Sequence, residues 1–430
     1  MDSRTRVLTA LRHEEPDRIP IDVGSTPNTA FHVFVYRDLR RVLNLPEKPI
    51  RIFDFGQQLA EVEKELLDYF HADIININRT LEPCAPYPSI WRYRTRDGKV
   101  VEISDREWKV WVHRNGAVIE IPKAMDIIEE EDGGYVAYVG GDAIGRMPKD
   151  GYYFWGLDRY GEERPPLAEV KTVDDIEKFN WEYHRVSSNY VDVLRRRAEY
   201  LHRNTEYALI FTVAGSLHEW GQGLRGWNRW LSDLRIRKPL AEAMLDHMMD
   251  VLRYNVERYV DALNGYVHII GFSDDFGTEE GPQISVQTFR EFYKHRYEEL
   301  FNIVKRRSKM YIYLHSCGSI YPLIKEFIDV GVDILNPVQI SARGMDPVVL
   351  KRDFGEQIVF WGGGVDTQHI LPFAKEEEVI EHVKKLIEIF KPGGGYIYAP
   401  VHNIQPNTPP QNIIAIYTTA YKYGKYTVKT

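Results

Sequence analysis

His315 and Cys317 are the residue pair whose types and spacing in this sequence best suit metal binding. His315 ends an apolar and aromatic run at residues 310–315 that predicts a β-strand, and Cys317 lies two residues further along the chain. Because side chains alternate along a strand, the histidine and the cysteine share one face, and the apolar residues of the run fill the other. A thiolate and an imidazole suit zinc, and a catalytic zinc site takes about three protein ligands plus an open position. His402 can supply the third ligand, although such a short pair also arises by chance and a buried free cysteine often serves as apolar filler.

The composition predicts a soluble protein with a large core. The chain has 430 residues, of which 43% are hydrophobic, and its 63 acidic side chains outnumber its 55 basic ones. This balance does not favour nucleic-acid binding, and no apolar run approaches the roughly 18 residues needed to cross a bilayer. The N-terminus lacks the apolar stretch of a secretory signal, and two cysteines, Cys84 and Cys317, are too few for a disulfide framework. We therefore expect a cytoplasmic protein that binds neither membrane nor nucleic acid.

Eight short runs of β-branched or aromatic residues alternate with amphipathic segments along the chain. The predicted strands are residues 19–23, 72–77, 208–213, 267–273, 310–315, 333–337, 358–361 and 396–400. The predicted helices between the later strands are residues 285–306, 320–330, 346–354 and 375–390. Eight strands that alternate with helices predict an α/β fold of the (β/α)8 TIM-barrel type, with residues 1–430 forming a single domain.

A long gap separates the second and third predicted strands. It contains alternating apolar residues interrupted by Arg96-Asp97-Gly98 and Arg114-Asn115-Gly116, which are signals for β-hairpin turns. We therefore predict a β-rich insertion within the barrel domain at residues 83–160.

Catalytic side chains of a TIM barrel lie at the carboxyl ends of its strands, and the polar candidates of this sequence fall there. They are Asp274 and Asp275 after the fourth strand, His315 and Cys317 after the fifth, Asn336 and Gln339 after the sixth, Asp366 after the seventh and His402 after the eighth. On the eighth strand, His402 shares parity with Tyr396 and Tyr398. That parity predicts these three side chains inside the barrel and leaves Ile397 and Ala399 for the surrounding helices.

Five stretches of the sequence resemble the uroporphyrinogen decarboxylase superfamily and, more closely, its corrinoid-dependent methyltransferase branch. They read Ser-Asp-Asp-Phe-Gly-Thr at 273–278, Leu-His-Ser-Cys-Gly at 314–318, Asp-Ile-Leu-Asn-Pro-Val-Gln at 333–339, Phe-Trp-Gly-Gly at 360–363 and Ala-Pro-Val-His-Asn-Ile at 399–404. Residues 4–20 also resemble the start of that superfamily's barrel. The resemblance covers nearly the full length and is strongest over residues 271–412.

This resemblance implies an enzyme that moves a methyl group between a small methoxy or N-methyl compound, or a thiol, and a corrinoid (cobalamin). In the methyl-cobalamin:thiol methyltransferases of this branch, a His-any-Cys pair and a later cysteine bind zinc. The matching positions here are His315, Cys317 and, in place of the later cysteine, His402. Two imidazoles and one thiolate leave zinc more Lewis-acidic than two thiolates would, which suits an oxygen-bound methyl group. The sequence lacks the cobalamin-carrying pattern Asp-any-His-any-any-Gly, so the corrinoid is expected on a separate protein or free.

The fourth zinc ligand stays open between Asp275, Glu279 and the substrate. Side-chain parity points Asp275 into the barrel, so we prefer it to Asp274 as a ligand. We also consider Asp275 a catalytic proton acceptor. Helix capping or a salt bridge is the equally weighted alternative for the two aspartates. Asn336 is a second catalytic candidate because, like Gln339, it could orient a zinc-bound histidine; both could instead satisfy loop backbone.

Gln339, Asp366 and Trp220 are the candidates for substrate binding. Trp220 belongs to a cluster of tryptophans and arginines after the third strand that could hold an aromatic substrate or contact a corrinoid protein, or could pack the following helix. The other members of the cluster are Arg225, Trp227, Arg229 and Trp230.

Two other functions stay open, as does the oligomeric state. Uroporphyrinogen decarboxylation is disfavoured, because the decarboxylases carry Arg-Gln-Ala-Gly-Arg after their first strand and residues 22–28 here read Asp-Val-Gly-Ser-Thr-Pro-Asn. The His-any-Cys pair is likewise no part of the decarboxylase pattern. A zinc-containing binding protein without turnover would use the same metal residues.

Overall fold

The computed structural model describes residues 1–79, 90–94, 100–104, 107–154 and 165–426, with the backbone alone for 90–94 and 100–104. Cys84 and the predicted turn Arg96-Asp97-Gly98 lie outside the described residues. Among the helices of the described ranges, none combines the length and the apolar character needed to cross a membrane.

Residues 1–79 supply two segments of the barrel wall and the beginning of a small mixed sheet. The elements are α1 (Ser3–Leu11), a 3-10 turn (Pro27–Thr29), β1 (Phe31–His32), α2 (Val33–Val42), β2 (Ile50–Asp54), β3 (Leu59–Ala60), α3 (Lys64–Tyr69) and β4 (Ile74–Asn76). Helix α1 begins after Asp2, whose carboxylate accepts a hydrogen bond from the Thr5 backbone N–H at 2.7 Å. Such an N-cap satisfies one of the backbone donors left open at a helix start.

Within the described residues, seven further strands lie between β4 and the next barrel strand. They are β5 (Ile90–Arg94), β6 (Val100–Ser104), β7 (Trp108–Val112), β8 (Val118–Pro122), β9 (Met125–Glu129), β10 (Tyr135–Val139) and β11 (Asp142–Met147). Strands β7 and β8 form an antiparallel hairpin, and Gly116 in its turn adopts a φ of +81°, which confirms the hairpin predicted at Arg114-Asn115-Gly116. Strand β8 then pairs in parallel with β2, so the hairpin extends the sheet β1-β3-β2-β8-β7. The bounds of the insertion at 83–160 stay a prediction.

The remainder of the described chain alternates helices with the other barrel strands. Its first elements are α4 (Val173–Glu177), a 3-10 turn (Trp181–His184), α5 (Ser188–Asn204), β12 (Ala208–Thr212), α6 (His218–Arg225), α7 (Trp227–Ile236), α8 (Lys238–Leu263) and β13 (Ile269–Ser273). They are followed by α9 (Val286–Phe289), a π-helical turn (Arg290–Lys294), α10 (His295–Arg307), β14 (Tyr311–His315), α11 (Tyr321–Asp329), β15 (Ile334–Asn336), α12 (Pro347–Phe354), β16 (Val359–Trp361), α13 (Glu376–Phe390), β17 (Tyr396–Ile397) and α14 (Pro410–Tyr423).

The central sheet is the wall of a TIM-type barrel. Seven strands pair in parallel in the order β4-β12-β13-β14-β15-β16-β17. The eighth position is held by the extended residues 19–23, where Tyr398 N–H donates to the Pro20 carbonyl and Asp22 N–H donates to the Tyr398 carbonyl, both at 2.9 Å. On the other side Asp73 N–H donates to the Ile21 carbonyl at 2.9 Å. The first predicted strand therefore closes the ring through one bridge and its flanking hydrogen bonds.

Side-chain alternation divides the core into an interior and an outer layer. The interior cluster contains the inward residues Ile74, Ala208, Ile210, Ile269, Tyr313, Ile334, Val359, Trp361, Ile397 and Ala399. Ile312 and Leu314 belong instead to the large outer cluster between strands and helices, which confirms the predicted inward face of β14.

The parity predicted for the eighth strand is wrong. Ile397 and Ala399 are inside the barrel, whereas Tyr396 stacks on Phe390 of α13 and Tyr398 packs against Tyr417 of α14. Strand β17 ends at Ile397, so the period of two does not extend to His402. The position of His402 is decided by the loop that follows.

Candidate metal centre

The donor atoms of His315, Cys317 and His402 meet at the carboxyl end of the barrel. One donor atom from each residue lies within 4.8 Å of the other two, and Cys317 Sγ is 3.2 Å from His315 Nε2. His315 is buried, whereas Cys317 and His402 are half-buried. Nitrogen and sulfur donors at this separation fit a zinc ion with three protein ligands and an open position.

Contacts remote in sequence bring His402 to this point. The next residue, Asn403, is fully buried, and its side-chain amide donates to Gln57 Oε1 at 2.8 Å and to the Pro27 carbonyl at 3.3 Å. One residue further, the Ile404 N–H donates to the Ala30 carbonyl at 2.8 Å. The loop after β17 is therefore held by loops of the first 60 residues.

Two glycines allow the loops after β13 and β14 to touch backbone to backbone. A Cβ at Gly277 would lie 2.3 Å from the Cys317 carbonyl oxygen, and a Cβ at Gly318 would lie 2.7 Å from Gly277 C. Gly318 also has a φ of +87°, a conformation that other residues rarely adopt. This close approach fixes the backbone that carries the thiol.

Asn336 orients the His315 ring. Asn336 Oδ1 lies 2.5 Å from His315 Nδ1, and Asn336 Nδ2 donates to the Trp361 carbonyl at 2.7 Å. Since the amide NH2 is committed to the carbonyl, Asn336 Oδ1 is the acceptor and His315 Nδ1 carries the proton. His315 Nε2 is then the bare nitrogen and faces Cys317, as a metal ligand must.

Burial keeps the His402 ring and the Cys317 thiol neutral while no cation is bound. Burial, together with a smaller effect of the neighbouring His315, lowers the pKa of His402 to about 4. Burial also raises the pKa of the Cys317 thiol well above its usual range, and the carboxylates of Asp275 and Glu219 add to that rise. Since a thiol binds zinc as the thiolate, a metal ion would have to displace the Cys317 proton.

The two adjacent aspartates have different surroundings. Asp274 is fully buried; its carboxylate accepts from the backbone N–H groups of Leu217, His218 and Glu219 at 2.8 to 3.1 Å and from the Tyr297 hydroxyl. Asp274 therefore caps the start of α6, which is the alternative that the sequence left open for the two aspartates. Burial raises the pKa of Asp274 to about 6.

Asp275 faces the candidate metal centre. Its Oδ1 accepts a hydrogen bond from the Cys317 N–H at 2.7 Å and lies 3.6 Å from His315 Nε2. Asp275 is thus close to two of the three donors, while the group of mutually close donor atoms consists of His315, Cys317 and His402. Its roles as fourth ligand and as proton acceptor stay predictions.

Glu279 and Gln339 form the next layer. Gln339 accepts from the Gly318 N–H at 2.7 Å and donates to Glu279 Oε1 at 2.7 Å. Glu279 is exposed, also accepts from Gln368 at 2.9 Å, and lines an open depression with Ser341 and His369. Through these hydrogen bonds Gln339 stabilises the loop that carries Cys317. Substrate binding by Gln339 and metal binding by Glu279 stay predictions.

Asp366 and Trp220 make hydrogen bonds and ring contacts with residues other than the three donors. Asp366 accepts from the backbone N–H of Gln368 at 2.8 Å and faces His369 Nδ1 at 3.0 Å, so it organises the loop after β16. The Trp220 ring packs against His184 at 4.8 Å and Trp181 at 6.3 Å between centroids. These contacts match the packing alternative for Trp220; substrate binding by either residue stays a prediction.

The rest of the tryptophan and arginine cluster is divided between core and surface. Trp230 and Arg225 are buried, and Arg225 pairs with Asp233 at 2.7 Å. Trp227 is half exposed, and its indole N–H donates to Gln283 at 3.2 Å.

Sequence reasoning missed two residues beside the donors. Glu219 lies in the first turn of α6, and its carboxylate is 3.5 Å from the Ser273 hydroxyl on the neighbouring strand end. Tyr313 lies on the inward face of β14, two residues before His315. The position of Glu219 after the third strand and the parity of Tyr313 with His315 were the signals that could have identified them.

Comparison with known proteins agrees with this architecture. The sequence model of the family described as Uroporphyrinogen decarboxylase (URO-D) matches residues 168–423, more than half of the chain, which includes all three donors. The fold is therefore the TIM barrel of that family, and this chain belongs to the uroporphyrinogen decarboxylase family. A comparison with curated protein sequences finds no match.

Solved structures with a similar fold include a methyltransferase from Methanosarcina mazei, with 15% sequence identity and a TM-score of 0.56 over 98% of this chain and 99% of that one. A B12-independent methionine synthase from Shewanella sp. W3-18-1 matches with 12% identity and a TM-score of 0.37 over 95% of this chain and 97% of that one. The likeness to the Methanosarcina mazei methyltransferase shows a common fold.

Proposed function

We propose that this protein is a zinc-dependent methyltransferase that moves a methyl group between a small methyl compound or thiol and a corrinoid. The observation that carries this proposal is the convergence of His315, Cys317 and His402 within 4.8 Å at the catalytic end of the barrel. The similarity in fold to the Methanosarcina mazei methyltransferase supports the same branch of the family.

The chain's own residues would hold and orient the reacting groups. His315, Cys317 and His402 would hold zinc, with Asp275, Glu279 or the substrate in the fourth position. Asn336 orients His315 through the 2.5 Å contact described above, and Asp275 fixes the backbone of Cys317. Bound zinc would supply a Lewis acid that stabilises negative charge on the heteroatom to which the methyl group is attached.

The donor set favours transfer from oxygen or nitrogen to the corrinoid. A second imidazole in place of a second thiolate leaves more positive charge at the centre, which favours an oxygen donor over activation of an acceptor thiol. Transfer to a thiol is the close variant of the same reaction. Gln339, Asp366 and Trp220 are proposed to contact the small substrate.

The corrinoid is proposed to arrive on a separate protein in the cytoplasm. His315, Cys317 and His402 would hold the Lewis acid at the open carboxyl end of the barrel, which is the end where TIM barrels bind ligands. The chemistry of methyl transfer to cobalt belongs to the cofactor, so the protein needs no nucleophile of its own.

The test is methyl transfer to a reduced corrinoid. Protein loaded with zinc is mixed with Co(I) cobalamin and a panel of methoxy, N-methyl and S-methyl compounds, and the conversion of the Co(I) to the methyl-Co(III) absorption spectrum is followed. We expect conversion with wild type and none with Cys317→Ala. A zinc-containing protein that converts no donor and accepts no methyl group from methyl-cobalamin would be the binding protein of the alternative hypothesis.

Uroporphyrinogen decarboxylation is the second candidate, because the matching family carries that description. In this chain residues 22–28 lack arginine, and Asp22 at that position accepts a hydrogen bond from the Trp361 indole N–H at 3.0 Å. We expect no coproporphyrinogen from uroporphyrinogen. Its formation at a rate independent of corrinoid would replace the methyltransferase proposal.

A further inference from the structure

Tyr313 places a phenol in the floor of the candidate metal centre. It precedes His315 by two residues on β14, so both side chains point into the barrel, and only 1% of Tyr313 is exposed. The phenol lies close enough to Cys317 for a negative charge on the sulfur to act on it.

The ring is held on both sides. Gly271 is its neighbour on β13, and a Cβ there would lie 3.2 Å from Tyr313 Cδ1. Trp361 packs edge-on against the ring at 5.1 Å between centroids, and its indole N–H is held by Asp22 at 3.0 Å. The phenol is therefore fixed in place, and the missing side chain at Gly271 makes room for it.

The hydroxyl of Tyr313 makes no hydrogen bond of regular geometry within the described residues, although the side chains of Thr26 and Asn28 lie near it. A tyrosine hydroxyl can donate one hydrogen bond, so Tyr313 has a donor to offer to a ligand. A buried hydroxyl without a partner is unfavourable, and such groups often mark a place for a ligand.

Its location separates Tyr313 from other unpartnered phenols. Tyr396, Tyr398 and Tyr417 also lack a partner among the described residues, but they lie in the outer layer between the strands and helices α13 and α14. Tyr313 belongs to the interior cluster, beneath the metal donors.

We propose that the Tyr313 hydroxyl donates a hydrogen bond to the heteroatom of the methyl donor and that the site therefore takes a methyl ether in preference to a quaternary ammonium compound. This inference rests on the proposed function and narrows its donor class. An ether oxygen has lone pairs that accept the hydrogen bond, whereas a quaternary nitrogen has none.

The hydrogen bond from Tyr313 would assist cleavage of the bond between the methyl carbon and the ether oxygen. The methyl carbon forms a bond with the electron pair of Co(I), which becomes methyl-Co(III), and the electron pair of the C–O bond stays on the oxygen. Tyr313 stabilises the negative charge that develops on that oxygen, and the oxygen takes a proton from water when the alcohol or phenol leaves. Donation is stronger to the developing anion than to the neutral ether, as transition-state stabilisation requires.

The test compares two probes that differ by one atom. Zinc-loaded protein without corrinoid is titrated calorimetrically with 2-methoxyphenol and with 2-ethylphenol, in which a methylene replaces the ether oxygen. We expect wild type to bind 2-methoxyphenol about 10-fold more tightly, the size of one hydrogen bond. Tyr313→Phe should lose this preference, and Tyr398→Phe, which removes an equally buried phenol outside the interior cluster, should keep it.

The outcomes separate this inference from the proposed function. The role of Tyr313 would be overturned if the wild type shows no preference between the two probes, which includes the case that it binds neither. It would also be overturned if the Tyr313→Phe protein keeps the preference. Methyl transfer from an N-methyl compound but from no methyl ether would also overturn the role of Tyr313. The proposed methyltransferase function would still stand in that case. Transfer from no donor in either direction would remove the proposed function, whatever the binding preference.

Discussion

At the residue scale, the three donors differ in how firmly the surrounding structure fixes them. His315 is oriented by Asn336, and Cys317 is held by the hydrogen bond from its N–H to Asp275. His402 depends on the loop held by Asn403. A centre built from three separately supported residues should tolerate loss of the metal without unfolding.

Cys317→Ser tests the donor set. Serine keeps the size of the side chain but offers an alcohol where zinc needs a thiolate, so we expect zinc content to fall from about one equivalent per chain to near zero. The fold should persist, which circular dichroism checks, because the interior and outer clusters do not depend on the metal. Full zinc occupancy in the variant would remove Cys317 from the centre.

His402→Cys tests the substituted ligand. The variant should still bind zinc, and the extra thiolate should reduce the positive charge of the centre. We expect the rate of transfer from a methoxy donor to fall by roughly 10-fold, the effect of about 1.4 kcal/mol on the barrier. Metal analysis provides the control for occupancy, and an unchanged rate with methoxy donors would take His402 out of the chemistry.

At the scale of elements, the centre depends on contacts between loops that follow different strands. The loops after β13 and β14 touch through Gly277 and Gly318, and the loop after β17 is tied to the first 60 residues. Strand ends alone would leave the three donors at the rim; the loop contacts bring them within bonding distance of one ion.

Gly277→Ala should damage the centre without unfolding the barrel. The added Cβ would meet the Cys317 carbonyl at 2.3 Å, so the two loops must separate and move the thiol. We expect zinc affinity to fall by at least about 10-fold, similar to the loss of a supporting residue around a metal site. Gly281→Ala is the matched control, since a Cβ there has no atom within 4 Å. Equal zinc affinity in both variants would contradict the importance of this contact.

At the scale of the whole molecule, buried histidines couple stability to pH. Burial lowers the pKa of His32, His218 and His402 to about 4 and that of His268 to about 3. In the unfolded chain these groups bind protons near pH 6.5, so unfolding takes up protons as the pH falls below that value. Burial raises the pKa of Asp274 to about 6 and also raises the pKa values of Asp22 and Asp54, which acts in the opposite direction. Burial likewise lowers the pKa values of His13, His113, His202 and His382, which adds to the effect of the four histidines.

We therefore expect the metal-free protein to lose stability between pH 6.5 and 4. Each buried histidine contributes about 1.4 kcal/mol per pH unit in that window, so the four together oppose folding by on the order of 10 kcal/mol, of which the buried carboxyl groups offset a part. Urea unfolding at a series of pH values measures it. His268→Asn should flatten the curve and His369→Asn, at a surface position, should not. A free energy of unfolding that is constant or rises on acidification would show that these histidines are protonated in the folded state.

The sequence by itself determined the local features of this protein. Alternation along residues 310–315 placed His315 and Tyr313 on one face and Ile312 on the other, and the structure has them so. The alternation of side chains with a period of two is a property of the strand backbone. It can therefore be predicted from the sequence as long as the strand continues. The motif stretches likewise indicated the family, and all five lie within residues 168–423, which the family model matches.

Only the tertiary structure decided where the chain goes once a strand has ended. Parity failed for His402 because β17 ends at Ile397 and the following loop is positioned by Gln57 and Pro27, more than 300 residues away in sequence. The same reason separates Asp274, which caps α6, from Asp275, which faces the metal donors. Strand parity did indicate that Asp275 rather than Asp274 points inward, but contacts between distant segments decide that Asp274 caps α6 and that His402 reaches the other donors.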